Sequence, residues 1–182
     1  MSSLLESGTP LAAYYAQTQP RIGEVLSRRR LGALDAVTIG RYAMTIGAAD
    51  PSHYDAEAAR SAGHPDVVAP PNLLAAIGEW GIGTPEAGLQ PDGTPQDGDM
   101  PLGDGDLGLR VMGAGEEMEL VNPVTAGTEL VLETTLESVT PKQTRSGPCI
   151  FVTTLNTFTS ADGTVLNRNR RTVALRNPAE ES

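Results

Sequence analysis

The residue types best suited to chemistry lie close together, within residues 45–72. This segment holds both histidines of the chain, His53 and His64, and three aspartates that include Asp50. Imidazole and carboxylate groups transfer protons near neutral pH, so the segment indicates a proton-transfer site. The two histidines are separated by irregular sequence and no cysteine lies between them, which is not the spacing of a zinc signature. We therefore expect no metal site, and we interpret His64, which precedes a proline, as a loop residue.

Predicted helices lie on both sides of this segment. A helix begins after Asp35, a good N-cap, and ends near Gly47. The dipeptides Asp50-Pro51 and His64-Pro65 then indicate loops. Pro70-Pro71 suits the first turn of a second helix, which continues through residues 72–82 and is apolar on nearly all sides. Such a helix is expected to be central and enclosed.

The rest of the chain is predicted to form strands that enclose this helix. One strand is expected within residues 21–31, after a short helix that ends before Pro20. Four more strands are predicted at Leu109–Val121, Glu129–Val139, Ile150–Phe158 and Val165–Leu175. Asp162-Gly163 is the strongest hairpin signal. The sequence thus predicts an α+β fold in which a single antiparallel sheet wraps around the helix at 72–82.

The expected organisation is one domain with short additions. Residues 1–20 form an N-terminal helical extension, residues 21–176 form the domain, and residues 177–182 form a polar tail. Within the domain, residues 83–108 are rich in Gly, Pro and Asp and are predicted to form a long flexible acidic loop.

Charge and cysteine content narrow the function classes. The net charge of -10 argues against a nucleic-acid or anionic-membrane partner, because phosphate binding needs clustered cations. The two basic clusters, residues 28–30 and 168–171, lie in strand-like runs and are interpreted as solvated strand faces, with contact to a phosphate-bearing cofactor tail left open. Cys149 lies in an apolar run and is expected to be a buried, unreactive thiol. With no membrane span and no signal peptide in the sequence, we expect a soluble cytoplasmic protein.

Four segments together resemble a known family. They are residues 41–55, 62–74, 118–139 and 146–176. In this order they are similar to the MaoC-like hydratase/dehydratase family, and within it to the N-terminal dehydratase-type (FAS1-like) hot-dog domain. The resemblance implies a single hot-dog fold in a subunit of a hydratase/dehydratase that acts on an enoyl or 3-hydroxyacyl thioester. It implies no cofactor beyond the CoA or carrier-protein phosphopantetheine that carries the substrate.

The resemblance also assigns the candidate catalytic residues. The family motif is Asp-x-Asn-Pro-x-His, in which the Asp and His activate water and move a proton. Alignment on Pro51 places His53 on the family histidine, Asp50 on the asparagine and Ala48 on the catalytic aspartate. We therefore name His53 and Asp50 as candidate catalytic residues. Asp50 and His53 form a remodelled pair, or His53 only lines a pocket, or His53 works with a carboxylate from another chain.

Substrate-binding residues follow from the same comparison. Active members carry His-Gly at the start of the central helix, and the glycine N–H binds the thioester carbonyl oxygen. Pro70-Pro71 occupies this place, and proline has no N–H to donate. Asn72 offers a donor one residue later. Pro71, Asn72 and Trp80 are the candidate substrate-binding residues, although Trp80 also suits a core position.

Members of this domain type commonly pair with a second hot-dog copy that has the intact motif. We therefore expect a homodimer, or a heterodimer with a catalytic MaoC-like chain. The alternative function is a non-catalytic hot-dog protein that binds acyl thioesters or serves as a scaffold. A weaker alternative is a thioesterase, for which Glu79 is the only suitably placed carboxylate.

Overall fold

The computed structural model describes residues 5–78, 85–89 and 107–178. The α-helices are α1 (Pro10–Thr18), α2 (Ala36–Thr45), α3 (Ala56–Ser61) and α4 (Leu73–Ile77). Three 3-10 turns lie at Gln19–Arg21, Pro51–His53 and Glu86–Gly88. The strands are β1 (Val25–Ala33), β2 (Arg110–Leu120), β3 (Glu129–Thr144), β4 (Gly147–Ser160) and β5 (Val165–Arg176).

The five strands form one sheet in the order β1-β3-β4-β5-β2, and every neighbouring pair is antiparallel. The predicted hairpin between β4 and β5 is confirmed. Its Gly163 has φ +90, a conformation that glycine adopts without steric cost, and its N–H donates to the carbonyl oxygen of Ser160 at 2.9 Å. The order leaves β1 and β2 as the two edges of the sheet.

The helix before the histidine segment forms as its sequence predicts. Asp35 is the N-cap of α2, and its Oδ1 accepts from the Thr38 N–H at 2.9 Å while its Oδ2 accepts from the Thr38 hydroxyl at 2.6 Å. Gly47, just past the end of the helix, has φ +68. The chain leaves α2 there and enters the loop that contains His53.

The central apolar helix is confirmed over the part that the structure describes. Asn72 is the N-cap of α4, and Leu73, Leu74 and Ile77 are buried against the sheet. The remainder of the predicted helix lies beyond Gly78 and outside the described residues. The α4 cluster is the set of buried apolar residues around this helix: Leu34, Ile39, Val67, Leu73, Leu74, Ile77, Val124, Leu130, Leu132, Phe158 and Leu166. The α+β architecture with an antiparallel sheet around an apolar helix is therefore confirmed.

A second apolar cluster lies farther along the same sheet and is covered by α1. Leu11 and Tyr14 of α1 are fully buried. The α1 cluster comprises Leu11, Tyr14, Leu136, Val139, Ile150, Val152, Val173 and Leu175. The Leu11 N–H also donates to the Asn177 side-chain oxygen at 3.0 Å. The N-terminal helix is thus packed onto the domain's own sheet.

Several strand boundaries differ from the prediction, and two of the differences have a structural reason. β1 begins at Val25 rather than at residue 21, because residues 19–21 form a 3-10 turn. β3 continues past Val139 to Thr144 and includes Pro141. β1 pairs with β3 only as far as Thr135, so the side of Pro141 that lacks an N–H faces no other strand.

The arginines of the two basic clusters differ in exposure and in ion pairing. Arg28 and Arg30 are exposed as predicted, whereas Arg29 is partly buried on the opposite face of β1. Arg168 pairs with Glu119 at 3.1 Å, and Arg170 pairs with Glu137 at 2.8 Å and with Glu117 at 3.7 Å. Cys149 is buried, as its apolar neighbours predict. None of the described helices is long and apolar enough to cross a membrane.

Candidate functional site

The His53 loop is built on a capped 3-10 turn. Asp50 is the N-cap of this turn, and its Oδ1 accepts from the Ser52 N–H at 2.9 Å. Pro51 occupies the first position of the turn, where the missing N–H has no cost. Ser52 is buried, with 7 % of its surface exposed. The turn therefore has one residue fixed in the protein interior and His53 directly after it.

A short extended segment, Val67–Ala69, ties this turn to the body of the protein. The Val68 N–H donates to the Ser52 carbonyl oxygen at 2.9 Å. On its other side, the Ala69 N–H donates to the Val124 carbonyl oxygen at 2.7 Å, and Val68 forms an antiparallel bridge with Thr125. Val67 and Val124 both belong to the α4 cluster. The loop is thus joined by main-chain hydrogen bonds to the end of the apolar core.

The same segment orients the imidazole ring. His53 Nδ1 lies 2.7 Å from the Val68 carbonyl oxygen. A carbonyl oxygen only accepts, so Nδ1 carries the hydrogen of this bond. In the neutral ring Nε2 then carries the lone pair, which is the state that accepts a proton from water. His53 is partly buried, and its ring is held by the main chain with the basic nitrogen on the opposite edge.

Asp50 is placed differently. Its carboxylate is exposed, and its hydrogen bonds from the Ser52 backbone and side chain hold its pKa below its usual range, with smaller contributions from the nearby charges of His53 and His64. A carboxylate with a lowered pKa is a weak proton acceptor. Among the described residues, no side-chain hydrogen bond or ion pair joins Asp50 to His53. Its observed contact makes it the cap of the turn that carries the histidine.

Ala48, at the position of the family aspartate, has only a methyl group to offer. Its N–H donates to the Ala43 carbonyl oxygen at 2.9 Å, which continues the end of α2. Its carbonyl oxygen accepts from the Tyr54 hydroxyl at 2.6 Å. Tyr54 is 44 % exposed. The second proton-transfer group of the motif is therefore absent at its expected place.

The start of the central helix offers one polar side chain. Pro71 and Asn72 are exposed, whereas Pro70 is buried and its carbonyl oxygen accepts from the Leu73 N–H at 3.0 Å. Asn72 makes no side-chain capping bond, so its amide group is available to another partner. Trp80, the third candidate substrate-binding residue, lies outside the described residues, as does Glu79, the candidate thioesterase carboxylate. The predicted acidic loop at 83–108 is also largely outside them.

The contacts that Val68 and Tyr54 make in the His53 loop had no signal in the sequence. Val68 acts through its main-chain oxygen, 15 residues from His53. Tyr54 binds the main chain of Ala48, and side-chain identity alone does not predict such a contact. The partly buried His64 donates its backbone N–H to the Ala59 carbonyl oxygen, at the end of α3. No group of three or more His, Cys, Asp or Glu side chains that could hold a metal occurs within residues 5–78, 85–89 and 107–178.

Comparison with known proteins now identifies the family. A family model described as "FAS1-like, dehydratase domain region" matches residues 22–168. The chain belongs to this family. The FAS1-like match covers β1, the His53 loop, α4, β3 and β4, and it ends within β5.

Curated relatives of this FAS1-like chain include proteins of Streptomyces coelicolor and Thermomonospora curvata. A UPF0336 protein of Streptomyces coelicolor is 35 % identical over 104 residues, which cover 56 % of this chain and 59 % of that protein. A Thermomonospora curvata protein named "probable enoyl-CoA hydratase alpha subunit" is 28 % identical over 165 residues, which cover 86 % of this chain and 50 % of that protein. The chain thus spans less than two thirds of the length of either relative.

Solved structures show the same fold. A chain of the ChsH1-ChsH2 complex from Mycobacterium tuberculosis aligns with a TM-score of 0.70 and 24 % identity, over 94 % of this chain and 93 % of that one. A chain of the HadBC (3R-hydroxyacyl-ACP dehydratase) complex from the same organism gives 0.61 and 18 %, over 85 % and 96 %. The MaoC-like dehydratase from Rhodospirillum rubrum gives 0.56 and 25 %, over 87 % and 94 %. All three share the fold of this chain, and the family match together with the MaoC-like dehydratase from Rhodospirillum rubrum makes the FAS1-like chain a MaoC-like hot-dog protein.

Proposed function

We propose that this chain is one subunit of a hydratase/dehydratase that acts on an enoyl or 3-hydroxyacyl thioester and works as a pair with a second MaoC-like hot-dog chain. The single observation that carries the proposal is His53, whose Nδ1 is bound to the Val68 carbonyl oxygen while Ala48 replaces the second acid/base group. The family match and the name of the Thermomonospora relative, a hydratase subunit, support the reaction class.

The chemistry explains why a partner is needed. Addition of water across an enoyl thioester requires removal of a proton from water and delivery of a proton to the neighbouring carbon. Two positioned groups share this work, each contributing roughly 10²–10⁴-fold. His53 Nε2 can accept a proton, but Asp50 caps a turn and its lowered pKa makes it a poor base. We infer that the second group is supplied by the partner chain.

The thioester is proposed to lie between His53 and the start of α4. The exposed Asn72 amide is a donor for the thioester carbonyl oxygen, where the adjacent Pro71 has none. The acyl chain would then extend towards the α4 cluster, which adjoins the His53 loop through Val67 and Val124. CoA or a carrier-protein phosphopantetheine belongs to the substrate in this scheme, and the protein itself needs no further cofactor.

The partner is proposed to pair with the edge of β2. Nearly every residue of β2 is exposed, although the strand is 11 residues long. Large apolar side chains are exposed at both of its ends and just beyond: Val111, Met112, Leu120 and Val121. A long unpaired edge with exposed apolar residues is a template for pairing with another strand. The heteromeric ChsH1-ChsH2 and HadBC complexes among the structural neighbours support a hot-dog partner.

The test is hydration of crotonyl-CoA and longer enoyl-CoA thioesters by the chain alone and together with a MaoC-like chain that has the intact motif. Activity that appears only in the mixture, and that falls when His53 is replaced by Ala, supports the proposal. Activity of the chain alone that is lost in both His53→Ala and Asp50→Ala would instead assign a remodelled pair within this chain. If neither preparation hydrates any thioester, the proposal is wrong.

A second function is favoured by one observation. Ala48 and the capping role of Asp50 leave His53 without the second acid/base group of the motif, which also suits a protein that binds acyl thioesters without reacting with them. Such a protein is stabilised by its ligand through mass action. A rise in melting temperature with acyl-CoA, but not with the free acid, and without turnover in any mixture, would favour this function over the first.

A further inference from the structure

The inner face of the sheet changes from apolar to polar and back along β3. Leu130 and Leu132 belong to the α4 cluster, and Leu136 belongs to the α1 cluster. Thr134 lies between them on the same face and is 1 % exposed. Two residues along a strand span about 7 Å. Thr134 therefore separates two apolar compartments, and each begins about 7 Å from it along β3.

The neighbouring strands also carry polar residues in register with Thr134. Register places Ser27 of β1 opposite Thr134, Thr134 opposite Asn156 of β4, and Asn156 opposite Asn169 of β5. The Thr134 hydroxyl donates to Asn156 Oδ1 at 2.8 Å. We call Ser27, Thr134, Asn156 and Asn169 the inner polar row. A row of four polar residues on adjacent strands, between two apolar clusters, is costly unless its groups are hydrogen-bonded.

Some buried polar atoms in and beside this row have no hydrogen-bond partner among the described residues, so the cost of burying them is not offset. Asn169 Nδ2 donates to Glu116 Oε1 at 2.5 Å, which fixes the amide orientation because a carboxylate only accepts. Its Oδ1 is buried and has no hydrogen-bond partner among the described residues. The Oδ1 of Asn167, two residues away on the same strand and opposite Phe158, is likewise buried without a partner in the described part of the chain, as is the Ser27 hydroxyl. Asn167 and Asn169 are only 2 % and 3 % exposed.

The unmet groups share one chemical requirement. The two asparagine oxygens accept and do not donate, so they need a donor such as a hydroxyl or an amide N–H. Asn167 lies opposite Phe158, a member of the α4 cluster, in the compartment that adjoins the His53 loop through Val67 and Val124, and Asn169 lies two residues farther along β5, at the border of this compartment. A hydrocarbon chain that follows this compartment can satisfy neither oxygen, whereas a hydroxyl on that chain can donate its one hydrogen to one of them.

We propose that Asn167 and Asn169 are specificity-determining residues that bind a hydroxyl group carried on the acyl chain, well away from the thioester. The inference rests on the proposed function, because it takes the ligand to be an acyl thioester that enters from His53. It adds a substrate class: acyl chains hydroxylated at or near the position that reaches the inner polar row. Plain chains of the same length leave both oxygens unpaired.

The experiment measures binding by calorimetry of a series of saturated acyl-CoA thioesters from C6 to C16, each beside its ω-hydroxy counterpart. The protein is the chain as purified, and its complex with the intact-motif chain. The expected result is a window of chain lengths in which the ω-hydroxy thioester binds up to about tenfold more tightly, the gain of one net hydrogen bond. Outside this window the two series should bind equally.

Variants locate the effect. Asn167→Leu or Asn169→Leu, whichever removes the oxygen that accepts from the hydroxyl, should reduce the hydroxyl preference to about twofold or less, and both variants should leave the affinity for the plain chain equal or higher. Asn167→Leu should also unfold at the same or a higher temperature than the wild type, because it removes a buried group that has no partner. The matched control is Thr153→Val, which alters a pair with Thr172 (Oγ1 to Oγ1, 2.9 Å) without touching either asparagine, and it should keep the preference.

Three results would overturn the inference. The first is binding of plain acyl-CoA with no hydroxyl preference at any length. The second is a preference that survives in both asparagine variants. The third is a lower melting temperature for Asn167→Leu, which would show that the amide is satisfied within the folded protein, for example by a trapped water. Failure of every thioester to bind would overturn the proposed function as well, so the two failures are distinguishable.

Discussion

Arg29 of β1 donates a hydrogen bond from Nη2 to the carbonyl oxygen of Gly78 at 2.5 Å. Gly78 is the C-cap of α4, so the cation lies where the partial negative charge of the helix end is concentrated. The first strand of the chain therefore fixes the end of the helix whose start lies beside the proposed thioester site. The side chain crosses from an edge strand to the buried helix.

Replacement of Arg29 by Met should lower the free energy of unfolding by about 1.5–3 kcal/mol, the range for a hydrogen bond to a charged group. The matched control is Arg28→Met. Arg28 is 70 % exposed and lies 4.0 Å from Glu133, so its loss should cost less than about 1 kcal/mol. Urea unfolding of both variants checks the difference. Equal effects would mean that the contact with Gly78 does not stabilise α4.

His53→Ala should lower thioester hydration by roughly 10²–10⁴-fold in the complex with an intact-motif chain, since it removes a proton-transfer group. The control is His64→Ala, which should keep the rate, because the observed bond of His64 is made by its backbone N–H. Steady-state kinetics should show the fall in kcat for His53→Ala rather than a rise in KM. An unchanged kcat would leave His53 as a pocket residue only.

Two substitutions of Asp50 separate capping from catalysis. Asn caps a helical turn about as well as Asp, so Asp50→Asn should keep both stability and activity, whereas Asp50→Ala should lower the melting temperature. A strong loss of activity in Asp50→Asn with an unchanged melting temperature would show that the carboxylate takes part in proton transfer.

The pH dependence of stability gives a second test of the role of Asp50. Its pKa is below the ordinary value of 3.8, chiefly because of the hydrogen bond from the Ser52 N–H. The folded state therefore favours the ionised form. The resulting stabilisation is present above the unfolded-state pKa and is lost as the pH falls through the folded-state pKa. Because Asp50→Asn is expected to match the wild type near neutral pH, thermal melts should show the melting temperature of the wild type falling below that of Asp50→Asn in acid. If they stay parallel down to low pH, the carboxylate contributes nothing through its charge.

Burial raises the pKa of Tyr14 to about 12, against an ordinary value of 10.0. The unfolded chain releases this proton first as the pH rises, so stability is full below pH 10 and falls until the pH reaches the folded-state value. The fall in the free energy of unfolding is at most roughly 3 kcal/mol. Urea titrations between pH 9 and pH 12 should show this slope in the wild type and in Tyr54→Phe, and a smaller slope in Tyr14→Phe. Equal slopes in all three proteins would contradict the burial of the Tyr14 hydroxyl.

Lysines on the β2 edge should prevent pairing with a partner chain. Val111→Lys with Leu120→Lys places a charge at each end of the exposed strand, and charged side chains block edge-to-edge pairing. A matched double variant on α2 is Val37→Lys with Met44→Lys, where the side chains are 60 % and 74 % exposed. Light scattering after size exclusion should show loss of the complex for the β2 variant alone. Loss in both variants, or in neither, would place the interface elsewhere.

Local signals predicted the fold where one residue type determines one geometry. Asp35 caps α2 with its own side chain, and Asp162-Gly163 makes the hairpin. The sequence did not predict features that depend on contacts with residues distant in the chain. Pro141 is usually read as the end of a strand, yet it is tolerated because β1 does not extend to pair beside it. Tyr14 is buried by a sheet that begins many residues after it.

The candidate site shows the same division. Sequence identified His53 and the missing carboxylate at Ala48, because a motif is a pattern of side-chain types. It could not predict that the Val68 main-chain oxygen binds the ring, or that Asp50 binds Ser52 rather than the histidine. Those contacts depend on how two loops meet. The inner polar row was equally hidden, since its members share a register across four strands and lie far apart in the chain.

The strand order β1-β3-β4-β5-β2 also has a consequence for synthesis. β1 pairs with β3 across roughly 100 residues of sequence, and contacts of such separation make folding slow. At 5–20 residues per second, a ribosome takes about 5–20 s to produce the strand that β1 needs. During that interval the nascent chain carries β1 with no strand to pair with. A chaperone, or a hot-dog partner already folded nearby, would protect the growing chain at this stage.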